Sequence, residues 1–417
     1  MASNGTMPFT SSSRLIDLAR IAAIVACVGL LYSPSVGTIG LVVTYVAFFA
    51  SGQAVVRFKG VLARPLAYWG VAFLGIVLMG MLYASVPWHD RWTDFYKWRT
   101  ILWFIVALAI FDEDSWKERL LVMFLAGTAV AVAGSFLSAA GWVTFRRGPQ
   151  ELLRNSGTQG MAFACAALVC GWIFLERKTL VLAPWIWAMI GLSYIVNVIF
   201  ITDARSGYAV LGVGLLLLLG WKASWKQRVL ILAGLLVAGG FAYLVSPRMQ
   251  EKVNLAVVQW TTESEMETET SFGSRKVFYA NSLEMLREHW ILGVGTGGFS
   301  QAYREHIDGK YEPSDWRAIP TTDPHSQYLS VWIQQGVAGL AVFLAWIIAI
   351  AREREARRDY HYLAVAILAG WCVTSLFSSH FRTFAEGHML ATFLGVLLAV
   401  ESPSAVTPPG AAPSRDA

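Results

Sequence analysis

One histidine and a set of arginines are the residues of this sequence best placed to do chemistry. His325 lies in D-P-H-S-Q-Y-L, residues 323–329, where a long polar segment gives way to an apolar run. Asp323 can cap a helix and Pro324 suits its first position, so the pattern predicts His325 in the first helical turn. The positive end of that helix's dipole would favour neutral imidazole and attract anions. Neutral imidazole beside a phosphate can accept a proton from a hydroxyl. A histidine that merely caps an interfacial helix is the plainer alternative.

Arginine recurs in the polar connections at Arg91, Arg99, Arg146, Arg147, Arg154, Arg205, Arg275 and Arg382. Its planar, permanently charged fork matches phosphate oxygens. Gathered at a membrane surface, such side chains suggest a site for a lipid-linked phosphate or diphosphate; snorkelling to headgroups is the competing explanation. Arg205, with Asp203 beside it in a loop of a few residues, is the strongest single candidate. The chain offers no His/Asp/Glu set at ligand spacing, so neither a metal nor another cofactor is expected. Nor is there a strand-borne nucleophile elbow of the kind a Ser-His-Asp hydrolase needs.

These residues must be held by membrane helices. Of 417 residues 56% are hydrophobic and 15% charged, with a mean hydropathy of +0.51, whereas soluble domains carry about 25% charged residues. Lipid is the solvent that such a chain fits. The net charge of +5 is scattered between apolar runs, which argues against a nucleic-acid partner. Cys27, Cys165, Cys170 and Cys372 all fall inside apolar runs and suggest neither disulfide nor metal. Arg14 and Arg20 precede an apolar stretch without a clear cleavage site, which reads as an uncleaved first span.

Apolar runs at 15–32, 36–52, 66–86, 99–111, 118–140, 157–176, 180–201, 206–221, 228–246, 326–350, 361–379 and 384–400 predict an all-α integral membrane protein with about twelve transmembrane helices. Arg57, Lys59 and Arg64, then Arg177 and Lys178, Lys222, Lys226 and Arg228, and the run R-E-R-E-A-R-R place alternate connections in the cytoplasm, together with both termini. The expected division is 1–246 for nine spans, 247–325 for a large periplasmic loop with amphipathic helices, 326–401 for three spans, and 402–417 for a disordered cytoplasmic tail. Within the loop Val277, Ala280, Leu283, Leu286 and Trp290 repeat at helical spacing, and the acidic stretch 261–270 reads as solvated. The 18 Trp residues collect near span ends, as an interfacial belt would.

Three segments together resemble the O-antigen ligase family, which joins O-antigen polysaccharide to lipid A–core. D-A-R-S-G-Y (203–208) is similar to the family's short outer loop. G-S-R-K-V-F-Y-A-N-S-L-E-M-L-R-E-H-W-I-L-G-V-G-T-G-G-F (273–299) looks like its Arg-opened helix ending in a hydrophobic-Gly-x-Gly-x-x-Phe turn. H-S-Q-Y-L-S-V-W-I-Q-Q-G-V-A-G-L (325–340) resembles its His-Asn/Ser opening followed by Gly-x-x-Gly. L-L-R-N-S-G-T-Q-G (152–160) is a fainter match, with Asn155 at the variable position, and gives Gln159 no role.

The resemblance implies a GT-C-type membrane glycosyltransferase of the bacterial inner membrane, metal-independent and inverting, with its active site on the periplasmic face. The implied donor is glycan on undecaprenyl diphosphate, and the implied acceptor is a sugar hydroxyl of lipid A–core. Carried over, His325 is the base and Arg205 and Arg275 hold the diphosphate; Arg99, Arg147, Arg154 and Arg382 are further candidates for the diphosphate or lipid carrier. An O-antigen polymerase or a protein O-oligosaccharyltransferase would share these motifs. A lipid-linked sugar transporter or flippase would use the arginines without a base, but the apolar runs lack the mid-membrane ionisable residues typical of such proteins.

Overall fold

The computed structural model describes residues 9–145, 150–261 and 273–400, and among them the regular structure is entirely helical. The first half comprises α1 (Phe9–Tyr32), α2 (Pro34–Ala50), α3 (Ala54–Leu62), α4 (Pro65–Tyr83), α5 (Trp88–Lys97), α6 (Arg99–Ile110), α7 (Asp114–Ala139) and α8 (Ser156–Leu175). There follow α9 (Pro184–Phe200), α10 (Arg205–Gly220), α11 (Trp225–Val245), α12 (Pro247–Thr261), α13 (Gly273–His289) and α14 (Phe299–Ile307). The chain closes with α15 (Gln327–Ala351), α16 (Arg358–Thr374) and α17 (Phe384–Leu398).

Every one of the twelve apolar runs falls on a helix, but they do not all qualify as spans. Six helices are long and apolar enough to cross a membrane, or seven if α2 and α3, bent by 103° at their junction, count as one broken span. Three more, α9, α10 and α17, are apolar but shorter. The difference has a packing cause. α6, with 12 residues, reaches only about 18 Å at 1.5 Å per residue, and Trp103 to Ile110 are all buried. Throughout α17 the side chains from Ala385 to Leu398 are likewise buried. A helix surrounded by other helices is apolar all round for the same reason as one surrounded by lipid, so hydropathy alone cannot separate the two. α11 is the opposite case: Ala242 alone is buried along its length.

Two close approaches position the site. At the start of α10, a Cβ on Gly207 would lie 2.9 Å from Gly160 Cα, so α8 and α10 meet backbone to backbone just beyond Arg205. The second is a break in α15 at Gly336, where φ is 65°. The turn after α13 docks there: Val294 N–H donates to Ile333 O at 2.8 Å, Gly295 N–H to Gln334 O at 2.9 Å, and Val337 N–H to Trp290 O at 2.9 Å. Any Cβ on Gly336 would collide with Ile291 O. Thr296 then fixes the turn to α4 through Val77 O, 2.6 Å from its hydroxyl.

α13 is amphipathic, on a face rotated from the expected one. Val277 and Leu286 are buried, but Leu283 and Trp290 are about half exposed, at 53% and 49%. The inward stripe runs instead through Val277, Asn281 and Met285, because Asn281 reaches Tyr303 of α14 at 2.9 Å. The tail 402–417 and the acidic residues 262–270 lie outside the described residues.

Gly336→Ala should therefore lower the thermal unfolding midpoint of the detergent-solubilised protein, with a loss of stability greater than the roughly 1–2 kcal/mol of a left-handed conformation alone. Gly212→Ala, at a helical site with open space around it, should be neutral or stabilising in the same assay.

Candidate active site

His325 is not in the first turn of a helix. α15 begins at Gln327 with Ser326 as its N-cap, the Ser326 hydroxyl accepting from Leu329 N–H. Asp323 is thus one turn too early to cap α15; its Oδ1 accepts instead from the His325 N–H, at 2.8 Å. That local bond accompanies a φ of 56° at His325, a left-handed conformation that costs a non-glycine residue free energy and needs external support. Support comes from α13. The Tyr279 hydroxyl sits 2.6 Å from Leu376 O and 3.0 Å from His325 O, serving both carbonyls with one proton. Phe278 stacks on the imidazole, centroids 5.6 Å apart and planes 18° from parallel.

This setting favours the unprotonated ring. Burial lowers the imidazole pKa below its usual value; the Asp323 charge opposes this, and the Arg275 charge adds to it. Burial also pushes the Tyr279 hydroxyl up to about 12, which keeps it a donor at neutral pH.

Arg205 and Arg275, expected to act together, are brought together. Arg205 opens α10 after the extended residue Ala204, and Arg275 lies in the first turn of α13. Burial depresses the Arg275 pKa, and the nearby Arg205 charge depresses it further. Among the described residues no carboxylate pairs with either guanidinium. Two cations within each other's field, with no carboxylate partner among the described residues, repel each other, and a multiply charged anion would relieve that repulsion.

Arg382 has a different place from the one expected. It is buried, with Nη1 2.9 Å from Asp94 Oδ1 and Nη2 3.2 Å from Asp323 Oδ2. Burial works against its charge, yet Asp94 and Asp323 hold its pKa above the usual guanidinium value. Burial alone would raise Asp94, but Arg382 and Lys97 keep it below the usual carboxylate range. A guanidinium satisfied by two carboxylates has no charge left for a diphosphate; it ties α5 and the 375–383 turn to the residue that shapes the His325 backbone.

That turn also carries His380, which sequence reasoning passed over. Its Nδ1 is buried without a partner. Burial lowers its pKa, Glu386 and Asp323 oppose that, and Arg275 adds to it, which puts His380 in the same electrostatic neighbourhood. The signal was a histidine two residues from an arginine at a span end, in S-S-H-F-R. Phe278 and Tyr279, also given no role, lie inside the 273–299 segment that was singled out.

Arg99 and Arg154 belong elsewhere: both face the Phe384 ring, at 5.1 Å and 5.5 Å. Arg147 lies outside the described residues. Gln159 now has a structural role, its Oε1 accepting from Leu152 and Leu153 N–H and its Nε2 donating to Gln150 O, which fixes the segment bearing Arg154. Among the described residues no three His, Cys, Asp or Glu side chains gather into a metal-binding group.

Residues 190–344 match the family model described as O-antigen ligase, the stretch that contains Arg205, Arg275 and His325. The match bears out the resemblance to the O-antigen ligase family read from the motifs. A relative from Haemophilus influenzae, described as an uncharacterized protein, is 26% identical over 157 residues, 36% of this chain. The chain spans 38% of the length of that curated relative.

Arg382→Ala leaves Asp323 without its cation and Asp94 with Lys97 alone, and should destabilise the protein by about 3–5 kcal/mol. A thermal unfolding series should show this loss for Arg382→Ala, and a much smaller one for Arg205→Ala, whose side chain holds no ion pair among the described residues.

Proposed function

We propose that a chain whose 190–344 segment matches the O-antigen ligase family acts as a ligase, transferring glycan from undecaprenyl diphosphate to a sugar hydroxyl of lipid A–core. The reaction is inverting, needs no metal, and takes place at the periplasmic face of the bacterial inner membrane. The observation that carries this reading is the half-buried His325 imidazole, favoured in its base form by burial and the Arg275 charge and stacked on Phe278, with Arg205 close enough for its charge to act on Arg275.

In the transfer step the acceptor hydroxyl oxygen attacks the anomeric carbon from the side opposite the diphosphate. The new C–O bond forms as the C–O bond to phosphorus breaks. The hydroxyl proton goes to His325, and the bonding electron pair leaves on the diphosphate oxygen. A diphosphate is a good leaving group once its charge is balanced, so the chemistry asks for cations rather than a strong acid. Arg205 and Arg275 supply them as groups fixed in advance, which lowers the cost of the developing charge. Their repulsion without substrate is relieved when the anion binds. The Asp323 bond to the backbone of His325, and Phe278 against its ring, fix where the imidazole sits.

Purified protein, lipid-linked glycan and lipid A–core in EDTA test this reading. Transfer should persist in the chelator and fall by about 10²–10⁴-fold in His325→Ala. Full transfer by that variant would sink the base role, and product lengthened on the carrier lipid would identify a polymerase. The pH profile gives a second check. Because the imidazole pKa is lowered, kcat/KM should fall on the acid side with a midpoint below the ordinary histidine value of about 6.5. Arg275→Gln removes a charge that lowers it, so the acid limb of the residual activity should move to higher pH.

A further inference from the structure

Ile291 and Leu292 belong to the long connection that the sequence places outside the membrane, yet both are apolar and exposed, at 54% and 70%. Their level is set by two helices of membrane-spanning length, α4 and α15. With 19 residues, α4 is about 28 Å long at 1.5 Å per residue. That nearly matches a hydrocarbon core of ~30 Å, so Tyr83 at its end marks the boundary. The Tyr83 hydroxyl donates to Leu292 O, which puts the turn after α13 at that boundary. The residues that follow go deeper. Thr296 N–H donates to Gly80 O at 3.1 Å, and its hydroxyl to Val77 O at 2.6 Å. Those carbonyls lie about 5 and 9 Å back along α4 from Tyr83.

The main chain of this turn is satisfied as lipid requires. Non-helical backbone is tolerated at membrane depth only where the protein itself supplies its hydrogen-bond partners. From Gly293 to Gly298 every N–H has one: His289 O, Ile333 O, Gln334 O, Gly80 O, Gln334 Oε1 and Gly295 O in turn. A solvated loop tip needs no such completeness, because water serves it.

What is left uncovered is apolar and adjoins the flank of a span. Leu78, Met79 and Leu82 are exposed along α4, Leu82 at 75%. Beyond Tyr83, Trp88, Trp92 and Tyr96 are exposed at four-residue spacing, one stripe of α5. Asp94 faces inward from the same helix, and His89, Asp90 and Thr93 are exposed on its polar side. A short helix with one face in protein, one aromatic and one polar suits the headgroup boundary.

We propose that residues 290–298 form a re-entrant turn of the membrane, with Ile291 and Leu292 among acyl chains and the α5 stripe at the headgroups beside them. The partner is a lipid leaflet, because the exposed apolar atoms adjoin the bare flank of α4. Both seated elements reach the site, α5 through Asp94 to Arg382 and the turn through α13 and α15. The leaflet surface and the His325 backbone are thereby held at a fixed height to one another.

Spin-label collision measurements on the full chain in phosphatidylcholine/phosphatidylglycerol nanodiscs test this seat. Cys27, Cys165 and Cys170 are buried, so a Cys372→Ala background accepts single labels through Leu292→Cys, Ile291→Cys, Trp92→Cys, Leu78→Cys and Asp308→Cys. Asp308, exposed in the same connection, is the water reference, and Leu78 of α4 is the lipid reference. The ratio of oxygen to nickel-chelate collisions at positions 291 and 292 should match that at 78. It should exceed that at 308 at least about threefold, as expected for side chains roughly 5–10 Å into the leaflet. The label at position 92 should fall between the two references. Leu292→Glu gives a readout without a label: a charge placed in hydrocarbon should lower the thermal unfolding midpoint in nanodiscs by several degrees. Nickel collisions at 291 and 292 equal to those at 308 overturn the proposal, as does an unchanged midpoint in Leu292→Glu. Shielding of both positions from either reagent overturns it too, since a protein partner or a second copy would then cover the turn. No transfer enters the readout, so it stands or falls apart from the role of His325.

Discussion

The Asp323 carboxylate joins three parts of the chain that sequence keeps far apart. Oδ1 accepts from the His325 N–H and from the Ser379 hydroxyl, at 2.8 and 2.9 Å, and Oδ2 faces Arg382 at 3.2 Å. Arg382 passes the connection on to Asp94 of α5. A charged network of this kind gains little net stability over an apolar core of the same shape, but it is costly to break at any one member. That asymmetry suits a site that must hold one geometry. The imidazole is placed by a backbone conformation which this carboxylate, the Tyr279 hydroxyl and the Phe278 ring support.

The glycines of the two long motifs act at a single junction. The turn at 293–299 and the break at Gly336 are partners: one offers backbone N–H groups, and the other exposes carbonyls that a continuous helix would have used. Through this junction α13, which carries Arg275 and Tyr279, is fastened to α15, which follows His325. Arg275 and His325 are thereby registered by main-chain hydrogen bonds rather than by flexible side chains. On the other flank the Gly160–Gly207 approach does the same for Arg205.

Much of this was legible in the sequence, for identifiable reasons. Hydrophobic length located all twelve apolar helices, and the motifs singled out Arg275, whose charge acts on His325, and Arg205, whose charge acts on Arg275. The span count was not legible, because α6 and α17 are apolar from burial in protein. Nor was the helix start at Gln327: Asp323 and Ser326 both offer N-cap chemistry within four residues, and composition does not say which is used. Arg382 looked like an anion ligand because its two carboxylates come from positions 94 and 323, and no local pattern announces a partner at that distance. The α13 face was misplaced by about one residue's rotation, since polar Asn281, not an apolar residue, provides the inward contact.

The left-handed backbone at His325 has a consequence for how this position can change over time. Glycine, asparagine and aspartate adopt such a φ at low cost, whereas β-branched residues resist it. Most substitutions there would therefore forfeit the imidazole and strain the main chain at once, and the second injury would remain even in a protein with no further use for the first. A lineage that abandoned the chemistry would be expected to drift first toward those three residues, leaving the turn intact around an empty post.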